Sequence, residues 1–335
     1  MERLRLLEDR IFSISSFSEF EQIALEVFDF QIVNCEIYRE FARMIGVSKP
    51  TKILEIPFLP ISFFKTHGVS SSDSNELVFK SSGTTGMERS QHAVFSSEVY
   101  ERSFLTFYKE CIGSPEEQVI LALLPNYLEQ GSSSLVYMVD SLIRATKCSL
   151  SGFVLNAMED LESRYREALA IGKKVVIFGV SYALLDLAEK GSDLSKATII
   201  ETGGMKGRRK EMSKEELHNE IIRGTGVPYV SSEYGMTELL SQGYSQQNGH
   251  FKIPNWMRAF IRDTNDPLTY VPDGKTGGIN VIDLANLYSC SFIATQDLGK
   301  METEGLKLMG RFDLADIRGC NLMIQTQTFL TLVTP

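Results

Sequence analysis

The sequence predicts an α/β fold in which layers of parallel sheet are flanked by helices, with a smaller β subdomain after them. Three patterns carry this. Short apolar runs alternate with helical stretches through the middle of the chain, an amphipathic helical pattern precedes them, and after about residue 250 the chain changes to short strands and tight turns. The organisation reads as an N-terminal helical segment over 1–48, an α/β core over 49–250, a β subdomain over 251–313 and a short tail over 314–335.

From Ser18 to Gly46 the pattern is helical: Ser18 with Glu21 fits a capping box, apolar residues recur at Phe20, Ala24, Val27, Phe28, Ile32, Cys35 and Ile37, and Gly46 closes the run. Pro50, Pro57 and Pro60 mark a connection, and Phe58, Phe63 and Phe64 within it read as core or as the lining of an apolar pocket. Leu77-Val78-Phe79 is a strand that runs into Lys80. Val119 to Leu124 is a buried strand ending at Pro125-Asn126, and Ser133 to Ala145 a helix with an apolar stripe. Lys174 to Val180 is the next strand, followed by a helix over Tyr182 to Lys190. Ala197 to Glu201 is a third strand of this series, stopping at Gly203-Gly204, and Val227 to Val230 a fourth. Strand and helix in alternation imply parallel pairing. Gly278 to Leu284, Ser291 to Thr295 and Leu306 to Met309 are the later strands, with turns at Pro272-Asp273-Gly274 and Asp297-Leu298-Gly299. No internal repeat or low-complexity tract interrupts them.

With 335 residues, 43% hydrophobic and 23% charged, the chain has the composition of a soluble globular protein with a sizeable core. A net charge of −9 and an isoelectric point near 5.2 disfavour a nucleic acid or an anionic membrane surface as partner, leaving a small molecule or another protein. The start, Met1 to Asp9, mixes both signs without an apolar segment, and no run reaches the length of a membrane span, so a cytoplasmic protein is expected. Five cysteines without a CxxC pair imply free thiols, and Cys35, Cys111, Cys148 and Cys290 fall in apolar periodic runs that read as core. His67, His92, His218 and His250 lack ligand spacing, and no metal cage is assigned to them.

Two stretches carry chemistry. Ser81-Ser82-Gly83-Thr84-Thr85-Gly86 places small, backbone-exposing residues where a strand ends: the glycines permit close backbone approach, so N–H groups and hydroxyls can converge on a phosphate. An ordinary Ser/Gly surface loop is the competing reading of this run alone. Ser231-Ser232-Glu233-Tyr234-Gly235-Met236-Thr237-Glu238 follows the last parallel strand, where open α/β sheets bind ligands. It offers an aromatic plane, a hydroxyl and a carboxylate within five residues, suited to a base, a phosphate oxygen and Mg²⁺. A loop capping a helix through Thr237 and Glu238 is the alternative. Asp273-Gly274-Lys275-Thr276 ends like a Walker A motif, but Thr269 stands where its first glycine belongs, so it reads as a hairpin turn.

Lys80 to Gly86, Tyr234-Gly-Met-Thr-Glu238, Thr295-Gln-Asp297-Leu-Gly and Gly310-Arg311-Phe-Asp313 resemble, in order and spacing, the core motifs of the adenylate-forming enzymes, the superfamily of acyl-CoA ligases, luciferases and adenylation domains. Within it the Pro57-Phe-Leu-Pro60 to Lys65 segment, Glu201-Thr-Gly-Gly-Met-Lys206-Gly and Arg318-Gly-Cys320 resemble the acyl-protein synthetase (LuxE-like) branch, the acid-activating subunit of bacterial fatty-acid reductase. The resemblance implies an adenylate-forming N-terminal-domain-like fold without the full C-terminal domain and its catalytic lysine, since only the tail 314–335 follows Asp313. It implies ATP and Mg²⁺ as cofactors. Ser81 to Gly86 would cradle the β- and γ-phosphates, Gly203 and Gly204 would present backbone to adenine, and Tyr234 would stack on it. Thr237 would reach the α-phosphate, Glu238 would hold Mg²⁺, Asp297 would take the ribose hydroxyls, and Arg311 would lie near the hinge and nucleotide.

The resemblance further implies that a fatty or other carboxylic acid is converted to acyl-AMP and that a cysteine near the C-terminus accepts the acyl group for delivery to a partner such as an acyl reductase. Cys320 is the matching position, with Arg318 placed to raise its thiolate fraction. A small buried hydrophobe beside Leu322 and Met323 is the other reading of Cys320. Two alternatives to the whole reading stand: a ligase that uses an external thiol, coenzyme A or a carrier protein, and a non-catalytic acyl- or nucleotide-binding subunit.

Overall fold

The parallel sheet expected from the strand and helix alternation is present in the computed structural model, which describes residues 2–72, 74–81, 88–125, 132–203, 212–245 and 248–312. The chain opens with α1 (Glu2–Phe12), α2 (Phe17–Asn34) and α3 (Glu36–Met44). The expected single helix is two, parted at Cys35, which is extended (φ −100°, ψ 102°) and caps both. Its capping box is Ser16 with Glu19, two residues earlier than Ser18 with Glu21. Glu21 is used elsewhere: its carboxylate accepts the Ile53 N–H at 3.1 Å.

The next elements are β1 (Leu59–Pro60), α4 (Phe63–Thr66), β2 (Leu77–Lys80), β3 (Gln91–Val94) and α5 (Ser97–Cys111). Strands β2 and β3 pair antiparallel as a separate two-stranded sheet, so the Ser/Gly run connects the two arms of a hairpin. Then follow β4 (Gln118–Leu123), α6 (Ser134–Thr146), β5 (Gly152–Phe153), α7 (Leu161–Ala170), β6 (Lys174–Gly179), α8 (Ser181–Lys190), β7 (Ala197–Glu201), α9 (Lys214–Thr225) and β8 (Val230–Tyr234). Strands β5, β4, β6, β7 and β8 lie side by side in that order, all parallel. Every residue of β4 is buried, as a strand covered on both faces requires.

The strand expected at Val227 to Val230 begins three residues later and ends four later, at Tyr234. Pro228 has no N–H to give a ladder, and pairing with β7 begins at Val230. Tyr234 therefore ends the strand instead of following it at a distance.

Beyond β8 the same sheet continues antiparallel through β9 (Gly243–Ser245), β10 (His250–Lys252), β11 (Met257–Arg262), β12 (Gly277–Asp283), β13 (Phe292–Glu302) and β14 (Gly305–Arg311), in the spatial order β8-β9-β10-β14-β13-β12-β11. Strand β1 adds to β13 in parallel. The turn expected at Asp297-Leu-Gly299 is instead the interior of β13, where the register against β14 shifts between Leu298 and Gly299. A Cβ on Gly299 would stand 2.7 Å from Ile279 Cδ1 and 2.9 Å from the Lys307 carbonyl, so this glycine serves a close backbone approach. Gly274 takes φ +82° and Lys275 N–H reaches the Pro272 carbonyl at 3.2 Å, a turn where the Walker-like sequence stands. Among the described residues no helix is long and apolar enough to cross a membrane.

Candidate nucleotide site

The sheet must curl to build the site. Strands β8 and β13 are four strand spacings apart, about 19 Å if flat, yet Tyr234 Oη donates to Asp297 Oδ2 at 3.0 Å. Strands β9 and β10, three residues each, lie between them together with β14. Arg311 on β14 donates from Nε to the other oxygen, Asp297 Oδ1, at 2.9 Å. Each carboxylate oxygen keeps a further lone pair, so Asp297 is oriented by two donors and still able to accept hydroxyls. Beneath it the buried guanidinium of Arg262 donates to the carbonyls of Ile279 and Thr295 and to Asn280 Oδ1 at 2.6–2.8 Å. Burial pulls Arg262 down to about 10 against the favourable charge of Asp297.

Gly235 follows Tyr234 because a Cβ there would lie 2.4 Å from Glu233 Oε1. The chain then presents Thr237, partly exposed, and Glu238, whose side chain is 5% exposed. Burial raises the Glu238 carboxyl; a hydrogen bond from Ser90 and the more distant charges of Arg311 and Lys65 oppose that shift. Among the described residues no cation pairs with it in a salt bridge. A desolvated carboxylate with hydroxyl support and no paired cation has the donor chemistry that suits a hard divalent ion.

The Ser81–Gly86 run springs from the same place. Ser81 N–H donates to the Ser90 carbonyl at 3.0 Å and Ser90 N–H to Ser81 Oγ at 2.9 Å, which closes the hairpin at its neck. Ser81 is thus held within one residue pair of the serine that touches Glu238. Ser82, Gly83, Thr84, Thr85 and Gly86 lie outside the described residues, as do Gly204 and Cys320. Gly203 is described: it takes φ +77° and gives its N–H to Glu201 Oε1 at 2.7 Å.

Glu201 is a residue the motif reading quoted without assigning it a part. Its buried carboxylate also accepts from Ser181 Oγ (2.6 Å) and Ser232 Oγ (3.1 Å) and lies 3.6 Å from Lys214 Nζ. It joins the turn at Gly203 to the strand that ends in Tyr234. Sequence offered one signal, an acid at the last position of an apolar strand. His92 and Asn286 likewise went unassigned: His92 Nδ1 stands 2.8 Å from the Thr237 carbonyl, and Asn286 Nδ2 donates to the Glu238 carbonyl at 2.7 Å. Of the four cysteines read as core, Cys35 and Cys290 are buried and Cys111 and Cys148 half-buried. Burial raises the thiols of Cys35 and Cys290 and pushes Cys111 up to about 11. His250 comes within hydrogen-bond reach of Glu302 (2.6 Å), a carboxylate that Lys300 also pairs; the two contacts hold it down at about 2.

Glu233 gives a pH dependence of known sign. Burial pushes its carboxyl from an ordinary 4.5 up to about 8, with the charge of Glu201 adding to the shift and Lys214 opposing it. The folded chain keeps a proton that the unfolded chain loses over this window, so stability falls as pH rises from 4.5 to about 8. The slope is about 1.4 kcal/mol per pH unit for one such proton, an upper bound because Glu233 is only partly buried. Glu233→Gln is expected to match the parent in denaturant midpoint at pH 4.5 and to exceed it at pH 8; equal midpoints at both would show that Glu233 ionises freely.

A family model described as acyl-protein synthetase, LuxE, matches residues 16–329. Solved structures are similar in fold. The ATP-bound RpMatB-BxBclM chimera B1 superposes with a TM-score of 0.54 at 18% identity, over 72% of this chain and 49% of that one. ATP-bound MatB from Rhodopseudomonas palustris gives 0.52 at 18% identity, again over 72% and 49%. An open conformation of 2-hydroxyisobutyryl-CoA ligase, in complex with 2-HIB-AMP and CoA, gives 0.63 at 12% identity, over 90% of this chain and 77% of that one. The chain thus matches about half the length of the first of these. No curated protein matches the sequence.

Proposed function

The chain belongs to the LuxE acyl-protein synthetase family, and from that membership we propose that it activates a carboxylic acid, a fatty acid by the family's chemistry, with ATP and passes the acyl group to a thiol. The observation that carries the reading is the convergence of Tyr234, Asp297 and Arg311, from three strands of a curled sheet, beside Glu238 and the neck of the Ser81–Gly86 loop. The cofactor is ATP. The Tyr234 ring would stack on adenine, with the backbone at Gly203 and Gly204 beside it, and the spare lone pairs of Asp297 would accept the ribose hydroxyls. Arg311 holds Asp297 in that orientation. Thr237 would hydrogen-bond the α-phosphate, and Ser81 to Gly86 would hold the β- and γ-phosphates through N–H and hydroxyl donors.

The substrate carboxylate oxygen attacks the α-phosphorus, the bond to the bridging oxygen breaks, and pyrophosphate leaves while acyl-AMP stays bound. Glu238 would hold Mg²⁺, which when bound supplies positive charge where the leaving pyrophosphate gathers negative charge. A thiolate then attacks the acyl carbonyl and AMP departs, giving a thioester. We place that thiol on Cys320, in the tail 314–335 that follows the β subdomain, the N-terminal helices and the α/β core. Three of the four described cysteines support this by being held protonated by burial. A partner acyl reductase or transferase in the cytoplasm would receive the acyl group.

Acid-dependent exchange of labelled pyrophosphate into ATP tests the first half and is expected with medium- or long-chain acids; its absence with every acid class would sink the activation step. Cys320→Ser is expected to keep exchange and to lose the hydroxylamine-sensitive acyl label on the protein. A label that persists in this variant would move the acceptor elsewhere, and acyl-CoA released on adding coenzyme A would favour the external-thiol ligase.

A further inference from the structure

We propose that His92 and Asn286 are positioning residues that hold the Thr237–Glu238 segment from behind by its two consecutive backbone carbonyls; this rests on the reading of Thr237 and Glu238 as nucleotide-handling residues. A carbonyl can only accept, so the 2.8 Å contact from His92 Nδ1 to Thr237 O fixes the ring proton on Nδ1. Burial pulls the His92 ring down to about 4, so at neutral pH it is uncharged and Nε2 is a bare acceptor. Asn286 donates from Nδ2 to Glu238 O at 2.7 Å, and its Oδ1 is a second bare acceptor. Both residues are 0% exposed, and among the described residues neither His92 Nε2 nor Asn286 Oδ1 has a hydrogen-bond partner.

The two side chains line one cavity of about 10 Å³, the space of a single water, which has a hydrogen for each acceptor. An apolar side chain at either position would bring no unpaired polar atom of its own, but would take the donor from the Thr237 or Glu238 carbonyl. What the polar pair adds is the grip on Thr237 and Glu238. The elements they come from give that grip a direction. His92 lies on β3, two residues after Ser90, whose hydroxyl meets the Glu238 carboxylate and whose backbone closes the Ser81–Gly86 hairpin. Asn286 sits in the short helical turn Leu284–Asn286 directly after β12. Phe64 stands edge-on to the His92 ring at 5.7 Å and limits its rotation. The hairpin that bears the phosphate loop and the segment that bears the Mg²⁺ ligand are therefore tied twice, by the Ser90 hydroxyl to the Glu238 side chain and by the His92 imidazole to the Thr237 backbone, and the imidazole is the tie that fixes the backbone.

The test is steady-state pyrophosphate exchange on the full chain with His92→Leu, His92→Asn and Asn286→Leu. H92L is expected to raise the KM for ATP by about tenfold, and N286L the Mg²⁺ concentration for half-maximal rate by a similar factor, with the KM for the acid within about twofold. H92N places an amide N–H where Nδ1 stands and is expected to restore the ATP KM to within about threefold of wild type. If H92L does not fold, His92→Gln, whose amide falls at the Nε2 position, replaces it. Equal impairment of H92L and H92N, or melting temperatures that drop while both KM values hold, would overturn the proposal and leave the pair as packing. If wild type shows no exchange, the activation reading fails by itself; ATP affinity by calorimetry then decides this one, with the same about tenfold loss and rescue expected. No ATP binding by wild type would overturn both.

Discussion

Glu238→Gln is expected to lower acid-dependent pyrophosphate exchange by about 10²-fold or more while the melting temperature holds or rises. The two halves of this expectation come from one fact. Glu238 is 5% exposed, its carboxyl is raised by burial, and the groups that relieve it are a serine hydroxyl, its own backbone N–H and two cations acting at a distance. A buried anion with so little compensation weakens the fold, and a glutamine of the same shape removes that charge without opening a cavity. An activity loss with unimpaired stability therefore isolates the carboxylate's charge as the thing the reaction uses. Thermal melts and exchange rates on the same preparation check it, and exchange within about threefold of wild type would take Glu238 out of the reaction.

The parallel strands were legible because Val119 to Leu124, Lys174 to Val180 and Ala197 to Glu201 are near-continuous apolar runs, the pattern of strands covered on both faces. Boundaries went astray where one residue outweighed the pattern. Pro228 withholds an N–H and delays β8 to Val230, and Gly299 looks like turn chemistry but marks a backbone approach inside β13. Ser16-x-x-Glu19 and Ser18-x-x-Glu21 satisfy the same capping rule, and what decides between them is tertiary: Glu21 is taken by Ile53.

The sequence motifs singled out Tyr234, Glu238 and Asp297 one at a time. The meeting of Tyr234 with Asp297 depends on the curl of the sheet, which no local pattern encodes, since the two are 63 residues apart. Residues whose work is to hold backbone are harder to read: Glu201 stands in a quoted motif without a part assigned to it, and His92 and Asn286 stand in none; a lone histidine on a short strand reads as core, and His92 is indeed buried there while also holding Thr237.

The same kind of invisible residue yields the largest stability effect. Asp283, the last residue of β12, is 0% exposed, and its carboxylate collects four donors. Oδ2 accepts the N–H groups of Leu240 (2.8 Å) and Ser241 (2.9 Å); Oδ1 accepts Ser241 Oγ (2.6 Å) and the Ala285 N–H (3.2 Å). Ser241 Oγ in turn receives Trp256 Nε1 at 2.9 Å. Burial raises the Asp283 carboxyl and these hydrogen bonds oppose the shift. Asp283→Ala strands three backbone N–H groups in a buried place and leaves the Ser241 hydroxyl with Ser103 Oγ at 3.1 Å as its remaining acceptor, with an expected loss of about 3–5 kcal/mol read as a lower urea midpoint at unchanged m-value. Asp283→Asn should fall between, because its oxygen can keep Leu240 and Ser241 while its NH₂ faces Ser241 Oγ, which can accept, and the Ala285 N–H, which cannot. Since Leu240 and Ser241 follow Glu238 by two and three residues, the alanine variant should also lose exchange at temperatures well below its melt, as the segment that carries Glu238 is released first. A loss under about 1 kcal/mol would mean that the freed N–H groups find water or new partners, and that the segment is anchored through His92 and Asn286 without Asp283.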